Sequence, residues 1–401
     1  MSVPELVEVP EQAEEERGDL AVMLTGGGAR AAYQVGLLRG IARHFPHLRF
    51  EIITGVSAGA INAIFLAAKR GTLAEKVDEL TDLWCALKCP HVFRPNYARL
   101  IPFRAALHSV LPGLLTRRPH GVFNSNPLAG LLAGIFDTDD YAGPIPGIKE
   151  NLAEGWLKAI ALIGLDYSSG QSVRWLQGRN LEIFEGANHR NVPCQITLNH
   201  ILASGAIPFA FPAVKIGDRW YGDGGIRLSA PLSPAVHLGA RRVLAMSTAY
   251  QRTPEEASTP SVRGYPPAAQ VLGQLVNAVF LDAIEEDVIR MHRMNELIDH
   301  LPTSERNGFR RIELLVLRPS RDLGILAGKY QRYLPTSVKL FTRALGADET
   351  ASPDFVSMLM FEPNYTRELI ETGERDVDAR VDDLRVFFGE STRPREVSLA
   401  E

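Results

Sequence analysis

Apolar residues in the first part of the chain fall into short runs that alternate with a helical stretch. Residues 20–25 are nearly all apolar, and residues 49–54 form a second β-type run. A short continuous apolar run is typical of a strand that is buried on both faces of a parallel sheet. Residues 31–45 have a helical pattern, so the sequence predicts a β–loop–α–β unit with a right-handed crossover. This unit indicates an α/β fold.

The α/β pattern continues over the first two thirds of the chain. Residues 156–165 and 172–176 are strand-like on either side of a turn, which predicts a β-hairpin. A Pro-, Ser- and Thr-rich stretch after the last predicted strand of this part marks a boundary. The predicted units are therefore an α/β domain over 19–250 and a mainly helical region over 251–388, which we expect to pack on the sheet. Other predicted elements are a short helix within 197–212, strands at 218–221, 242–247 and 311–317, and helices at 234–238, 268–299, 335–345 and 354–372.

The two ends of the chain are predicted to be disordered tails. Residues 1–18 form an acidic stretch without the basic-then-apolar pattern of a signal peptide. Residues 389–401 are expected to be disordered as well. No uninterrupted apolar run reaches the ~18 to 20 residues that a membrane span requires. We therefore expect a cytoplasmic protein, or one that attaches only to a membrane surface.

Composition and net charge argue against several classes of partner and site, among them nucleic acid, disulfide frameworks and zinc. Hydrophobic residues make up 45% of the 401 positions and charged residues 22%, as in an ordinary soluble globular protein. A net charge of −4 gives no reason to expect a nucleic-acid partner. The three cysteines are too few for a disulfide framework, and no His/Cys pair completes a zinc site with Cys85 and Cys89. We predict no metal and no cofactor, while the oligomeric state stays open.

Residues 83–136 form a basic and apolar segment. Between Asp82 and Asp137 the chain has no carboxylate, whereas six lysines and arginines are interleaved with aromatic and aliphatic residues. A segment of this kind can lie on an anionic lipid surface. It can equally form a cap over the α/β domain with a cationic outer face. The sequence leaves both interpretations open.

The stretch Gly55-Val56-Ser57-Ala58-Gly59 has the strongest indication of chemistry. A β-type run precedes it and a helical run follows at once, so the chain must reverse at Ser57. A serine on such an elbow adopts a strained backbone conformation and projects its hydroxyl at the N-terminus of the following helix. The sequence therefore predicts that Ser57 is a nucleophile. The alternative is a serine that only caps the helix.

The first predicted strand leads into a glycine loop. The loop consists of Gly26, Gly27, Gly28, Ala29 and Arg30. Successive glycines can turn their backbone N–H groups toward an anion, but the Lys-Ser/Thr ending of a phosphate-binding P-loop is missing. A dinucleotide-binding fingerprint would require an acid at the end of the next strand, where Thr54 stands. An oxyanion hole fits best, because consecutive parallel strands usually end at the same sheet edge and would place the loop beside Ser57.

Asp223 is the best candidate for the base that activates Ser57. An α/β-hydrolase would supply an aspartate and then a histidine, but none of the ten histidines lies in an obvious strand-end loop with Gly or Asp neighbours. Asp223 follows a short predicted strand and precedes Gly224 and Gly225. Because an aspartate has an ordinary pKa near ~3.9, it would need burial or a short contact with the serine to act as a base.

Three motifs in this order resemble those of the patatin-like phospholipases. The family carries a loop of the form G-G-G-x-R/K-G, a G-x-S-x-G nucleophile motif, and a distant D-G-G/A. The matching residues are Gly26-Gly27-Gly28-Ala29-Arg30-Ala31, Gly55-Val56-Ser57-Ala58-Gly59 and Asp223-Gly224-Gly225. The segment Ala203–Pro208 is also similar to one common in the family. The resemblance covers about 20–250 and departs from the pattern at Ala31, where a methyl group is usually tolerated.

The resemblance implies a three-layer α/β/α fold and calcium-independent hydrolysis of acyl esters in phospholipids, lysophospholipids or neutral lipids. It implies a dyad of Ser57 and Asp223, an oxyanion hole of loop N–H groups, and an Arg30 that braces the loop or meets a phosphate headgroup. Two other functions remain as alternatives. Intact Ser57 and Asp223 argue against a non-catalytic lipid-binding or regulatory protein. The missing acid and lysine argue against a nucleotide-binding enzyme.

Overall fold

The computed structural model describes most of the chain. The described residues are 19–96, 121–179, 181, 183, 185–208, 210–258, 271, 274, 277, 278, 283–339 and 354–389. The predicted tails, apart from Gly389, lie outside them, as do parts of the helices predicted at 268–299 and 335–345.

Nine of the described strands form one sheet. The strands are β1 Leu20–Leu24, β2 Ile52–Val56, β3 Arg94–Pro95, β4 Phe123–Asn124, β5 Ala159–Asp166, β6 Ser172–Gly178, β7 His189–Pro193, β8 Val214–Ile216, β9 Arg219–Asp223, β10 Arg242–Met246 and β11 Glu313–Leu317. The order in the sheet is β11-β10-β1-β2-β5-β6-β7, with β9 also paired to β5 and β8 paired to β9. β3 and β4 form a separate antiparallel pair.

The centre of the sheet is parallel, as predicted. β11, β10, β1, β2 and β5 all run in the same direction. β6 and β9 run antiparallel to β5, and β5 with β6 forms the predicted hairpin. Since the carboxyl ends of β1 and β2 meet at one edge, the glycine loop and Ser57 lie side by side.

Helices cover both faces of the sheet. They are α1 Ala32–His44, α2 Ala58–Ala68, α3 Leu73–Ala86, α4 Cys89–Val92, α5 Asn126–Ile135, α6 Ile148–Glu154, α7 Leu198–Ser204, α8 Ser233–His237, α9 Pro254–Ser258, α10 Ala283–His300, α11 Leu323–Gly328, α12 Asp354–Met358, α13 Pro363–Ala379 and α14 Val381–Phe388. None of the helices within these described ranges is long and apolar enough to cross a membrane.

The alternation of side chains along β1 shows how the layers are held together. Val22 and Leu24 belong to a large apolar core that also contains residues of α1, α2 and α13. Ala21 and Met23 point to the opposite face. They pack in a second core with residues of α8 and with Ile284 and others of α10. Burial on both faces explains why this strand reads as a continuous apolar run. The three-layer α/β/α fold is confirmed.

The C-terminal third packs on the sheet, and it contributes more than helices. β11 extends the parallel sheet beyond β10, and α13 packs against α1. The prediction of a single helix over 354–372 is wrong, because the structure has two helices there, α12 and α13, with a break between them. Pro363 occupies the first turn of α13. Proline has no backbone N–H and suits the start of a helix, so the break precedes it.

Candidate active site

Ser57 occupies the sharp turn between β2 and α2. Its backbone has φ 56° and ψ −131°, a conformation that is strained for a residue with a side chain. Gly59 leaves room for this turn, because a Cβ there would clash with the Leu24 and Thr25 carbonyls of the adjacent strand end. Although Ser57 occupies the N-cap position of α2, its hydroxyl makes no capping hydrogen bond. The side chain is therefore available for another contact.

The hydroxyl of Ser57 donates a hydrogen bond to Asp223. The distance from Ser57 Oγ to Asp223 Oδ2 is 2.7 Å. Asp223 is the last residue of β9, and its pairing opposite Gly164 of β5 carries it to the strand end where Ser57 stands. The other carboxylate oxygen accepts from the Gly225 N–H at 2.9 Å. The two predicted residues, 166 positions apart, are thus in direct contact.

Burial changes the acidity of Asp223. The residue is 0% exposed. Burial raises the pKa of Asp223 to about 7, because a carboxylate loses its hydration there, and the hydrogen bonds from Ser57 and Gly225 only partly oppose this effect. A pKa near neutrality makes this carboxylate a far stronger base than an exposed aspartate. The burial and the short contact that the sequence analysis required are both present.

Ser204 supports the elbow, a contact that the sequence analysis did not identify. The backbone N–H of Ser57 donates to Ser204 Oγ at 2.9 Å. In turn the Ser204 hydroxyl donates to the Ile163 carbonyl of β5 at 2.6 Å. Ser204 is fully buried at the end of α7. It ties the strained residue to the neighbouring strand, and the only signal in the sequence was its place in the segment Ala203–Pro208.

The glycine loop lies directly against Ser57. A Cβ on Gly26 would be 2.9 Å from the Ser57 Cβ and 3.6 Å from its Oγ. The Thr248 hydroxyl, just beyond β10, donates to the Gly26 carbonyl at 2.6 Å and holds the loop in place. Within the described ranges, the backbone N–H groups of Gly27 and Gly28 have no hydrogen-bond acceptor. Free N–H donors beside a nucleophile are what an oxyanion hole requires.

The side chain of Arg30 is bound within the protein. Its guanidinium is buried, and it donates to Asp354 Oδ1 at 2.5 Å and to Ser357 Oγ at 2.6 Å. Of the two roles considered for this residue, the contacts support bracing of the loop. Ala31 adopts an ordinary helical conformation with φ −63°, so the family's glycine is not required at this position.

An apolar pocket opens beside Ser57. Apart from Ser57, the described residues that line it are glycines or carry apolar side chains. They include Ile61, Phe65, Leu80, Trp84, Leu87, Val92, Leu132, Phe136, Ile207, Phe211, Met358 and Phe361. A lining of this kind suits the acyl chain of a lipid.

Part of the basic and apolar segment 83–136 forms one wall of this pocket. Trp84, Val92 and Leu132 are examples from its described parts, 83–96 and 121–136. Residues 97–120, which carry four of its six basic residues, lie outside the described residues. Contact of this segment with an anionic membrane stays a prediction.

Neither a histidine nor a metal site takes part in the described contacts of the dyad. The two donors to the Asp223 carboxylate are the Ser57 hydroxyl and the Gly225 amide. His200 is instead buried against Trp175, and burial lowers its pKa to about 4. Among the described side chains, no group of three or more His, Cys, Asp and Glu residues is arranged to hold a metal ion.

Comparison with known proteins places the chain in a family. The model of the family described as patatin-like phospholipase matches residues 22–236, more than half of the chain. No curated protein matches the sequence.

Solved structures to which the chain is similar include VipD from Legionella pneumophila, with 13% identity, a TM-score of 0.37, and coverage of 82% of this chain and 67% of that one. Human GIVD cytosolic phospholipase A2 has 12% identity and a TM-score of 0.43, with coverage of 94% of this chain and 60% of that one. The chain thus spans less than two thirds of the human enzyme's length. On the family match, the chain belongs to the patatin-like phospholipases, a family of lipid acyl hydrolases.

Proposed function

We propose that the protein hydrolyses carboxylic esters of phospholipids or lysophospholipids through the dyad of Ser57 and Asp223. The observation that carries this proposal is the 2.7 Å hydrogen bond between Ser57 Oγ and a fully buried carboxylate. It occurs on a strained elbow that opens into an apolar pocket. A positioned base, a nucleophile and an acyl-binding pocket are the parts that serine ester hydrolysis needs.

In the first half of the reaction, Asp223 removes the proton from Ser57 Oγ as this oxygen attacks the ester carbonyl. The carbonyl oxygen becomes an oxyanion, which the N–H groups of Gly27 and Gly28, together with Ala29, stabilise. When the tetrahedral intermediate collapses, the C–O bond to the alcohol breaks and Asp223 returns the proton to the leaving oxygen. The products are an acyl-Ser57 ester and the free alcohol or lysophospholipid.

In the second half, water replaces the alcohol. Asp223 removes a proton from the water, whose oxygen attacks the acyl-Ser57 carbonyl, and the same N–H groups hold the second oxyanion. Collapse releases the fatty acid and returns the proton to Ser57. All steps use side chains and backbone groups of this chain.

Hydrolysis of p-nitrophenyl esters of graded chain length and of dispersed phospholipid tests the proposal. We expect the wild type to cleave them and Ser57→Ala to lose about 10⁴-fold or more in kcat while it stays folded. Medium or long acyl chains should be preferred, because the pocket wall is apolar. A wild type inert on every ester and on phospholipid would reject the hydrolase and favour a lipid-binding protein with the same fold.

A further inference from the structure

The glycine loop is in contact with a distant part of the chain. Helix α12 belongs to the C-terminal third, which lies beyond residues 22–236 matched by the family model. Yet α12 packs against the short 3-10 turn, Gly28–Ala31, into which the loop leads. The part of the molecule that follows the family match therefore reaches the site proposed to bind the oxyanion.

An ion pair joins the two parts. Arg30 Nη2 donates to Asp354 Oδ1 at 2.5 Å, and the side chains are only 3% and 10% exposed. Arg30 also donates from Nε to Ser357 Oγ at 2.6 Å, and Ser357 Oγ donates to the Asp354 carbonyl at 2.5 Å. The second carboxylate oxygen of Asp354 accepts from Asn277 Nδ2 at 2.8 Å. The guanidinium and the carboxylate are each held by more than one partner.

Because the pair is buried, we expect it to fix the position of the Arg30 backbone more than to stabilise the fold. Removing two charges from water is unfavourable, and the attraction between them often does no more than offset that penalty. A rigid guanidinium with several fixed acceptors does restrict where its backbone can lie. Arg30 is two residues from Gly28, so the pair restricts the loop.

The backbone of α12 also touches the loop directly. Gly28 has φ 56°, and a Cβ on it would clash with the Met358 carbonyl. Met358 and Phe361 line the apolar pocket together with Gly28 and Ser57. The segment 354–361 therefore contacts the loop from one side and the predicted acyl chain from the other.

We propose that residues 354–358 position the glycine loop for catalysis, with the buried pair of Arg30 and Asp354 as the link. Arg30, Asp354 and Ser357 are positioning residues that act through the N–H groups of Gly27 and Gly28. This inference rests on the proposed hydrolysis, since it assigns the C-terminal segment a role in the same site. It also implies that a chain ending after the family match would keep the loop but lack the contacts that position its N–H groups.

Asp354→Asn in the full-length protein tests the proposal. We expect kcat to fall about 10- to 100-fold with KM within about twofold of wild type, because a displaced oxyanion donor affects the transition state more than substrate binding. Phosphonylation of Ser57 by an alkyl fluorophosphonate should slow in parallel, since its transition state also bears an oxyanion. The control is Glu285→Gln, which removes the carboxylate from a less buried Arg–carboxylate pair of the C-terminal third, that with Arg318.

Two further variants keep the test decisive. Ser357→Ala retains the ion pair but removes one acceptor of Arg30, so we expect a smaller loss of kcat than in Asp354→Asn. This variant provides the test if Asp354→Asn folds poorly. The double variant Arg30→Met/Asp354→Asn should be no slower than the worse single variant, because the two residues act as one unit.

An active wild type with a folded Asp354→Asn that keeps its kcat and its phosphonylation rate would overturn the positioning role alone. A loss of the same size in Glu285→Gln would overturn it too, since the effect would then be general. A wild type inert toward both ester and fluorophosphonate would reject the proposed hydrolysis, and the positioning role with it.

Discussion

The two sides of the candidate site are built in different ways. On one side, hydrogen bonds join Ser57 after β2 to Asp223 at the end of β9 and to Ser204 at the end of α7, all within the region of the family match. On the other side, the glycine loop is hydrogen-bonded to Thr248 and Asp354, both beyond that region. The proposed nucleophile and base thus lie within the region of the family match, whereas the loop proposed to bind the oxyanion also contacts the C-terminal third.

On the loop side, the largest effect is expected from Gly28→Ala. The new methyl group would face the Met358 carbonyl at a backbone angle that side chains rarely adopt, so the loop must move. Loss of aligned oxyanion donors should lower kcat/KM by about 10²- to 10³-fold. Gly130→Ala is the matched control, because a Cβ there meets no atom of the described residues within 4 Å. Equal activity of the two variants would show that the loop has no role in catalysis.

The pH dependence tests the strand-end side. Burial raises the pKa of Asp223 to about 7, and only the carboxylate can accept the proton from Ser57. We therefore expect kcat/KM to rise about tenfold per pH unit below 7 and to level off above it. A profile measured on p-nitrophenyl acetate, corrected for substrate hydrolysis, would show this. A flat profile from pH 5 to 8 would exclude Asp223 as the base.

The same shift predicts how stability changes with pH. Because the folded-state pKa of Asp223 lies above the unfolded value, the folded state binds the proton more tightly. The tighter proton binding by Asp223 contributes stability that is fully present below the unfolded pKa. This stability is lost as the pH rises from about 4 to about 7. At pH 8 the wild type must keep a buried charge at this position, whereas an asparagine stays neutral. Asp223→Asn should therefore raise the melting temperature more at pH 8 than at pH 5.

A smaller effect is expected from Ser204→Ala. This variant removes the acceptor of the Ser57 N–H and leaves a buried donor unsatisfied on an already strained residue. We expect kcat to fall about tenfold with little change in KM, since the nucleophile is misplaced but the acyl pocket is intact. Unchanged kcat in a folded Ser204→Ala would show that the strands hold the elbow without this contact.

The parts of the site that could be predicted from sequence are those with local signals. Ser57 lies between a strand and a helix with no loop, and Asp223 follows a strand and precedes glycines, so each could be found from its neighbours. The parallel sheet was predictable for a similar reason, because burial on both faces leaves continuous apolar runs.

The contacts that were missed join distant positions without a local signal. Arg30 and Asp354 are 324 residues apart, and an aspartate at the start of a helix is ordinary in sequence. Ser204 is an unremarkable serine at a helix end, and its contact depends on how α7 packs beside β5. The break before α13 could have been predicted from Pro363, which the helical pattern of the surrounding residues obscured.

The most direct test of the central claim is the activity of Asp223→Asn beside the wild type on one p-nitrophenyl ester at pH 8. If Asp223 is the base, kcat should fall by about 10²- to 10⁴-fold, while the variant stays folded and melts at a higher temperature than wild type. Near-normal activity of Asp223→Asn would contradict the account, because another group would then have to take the proton from Ser57.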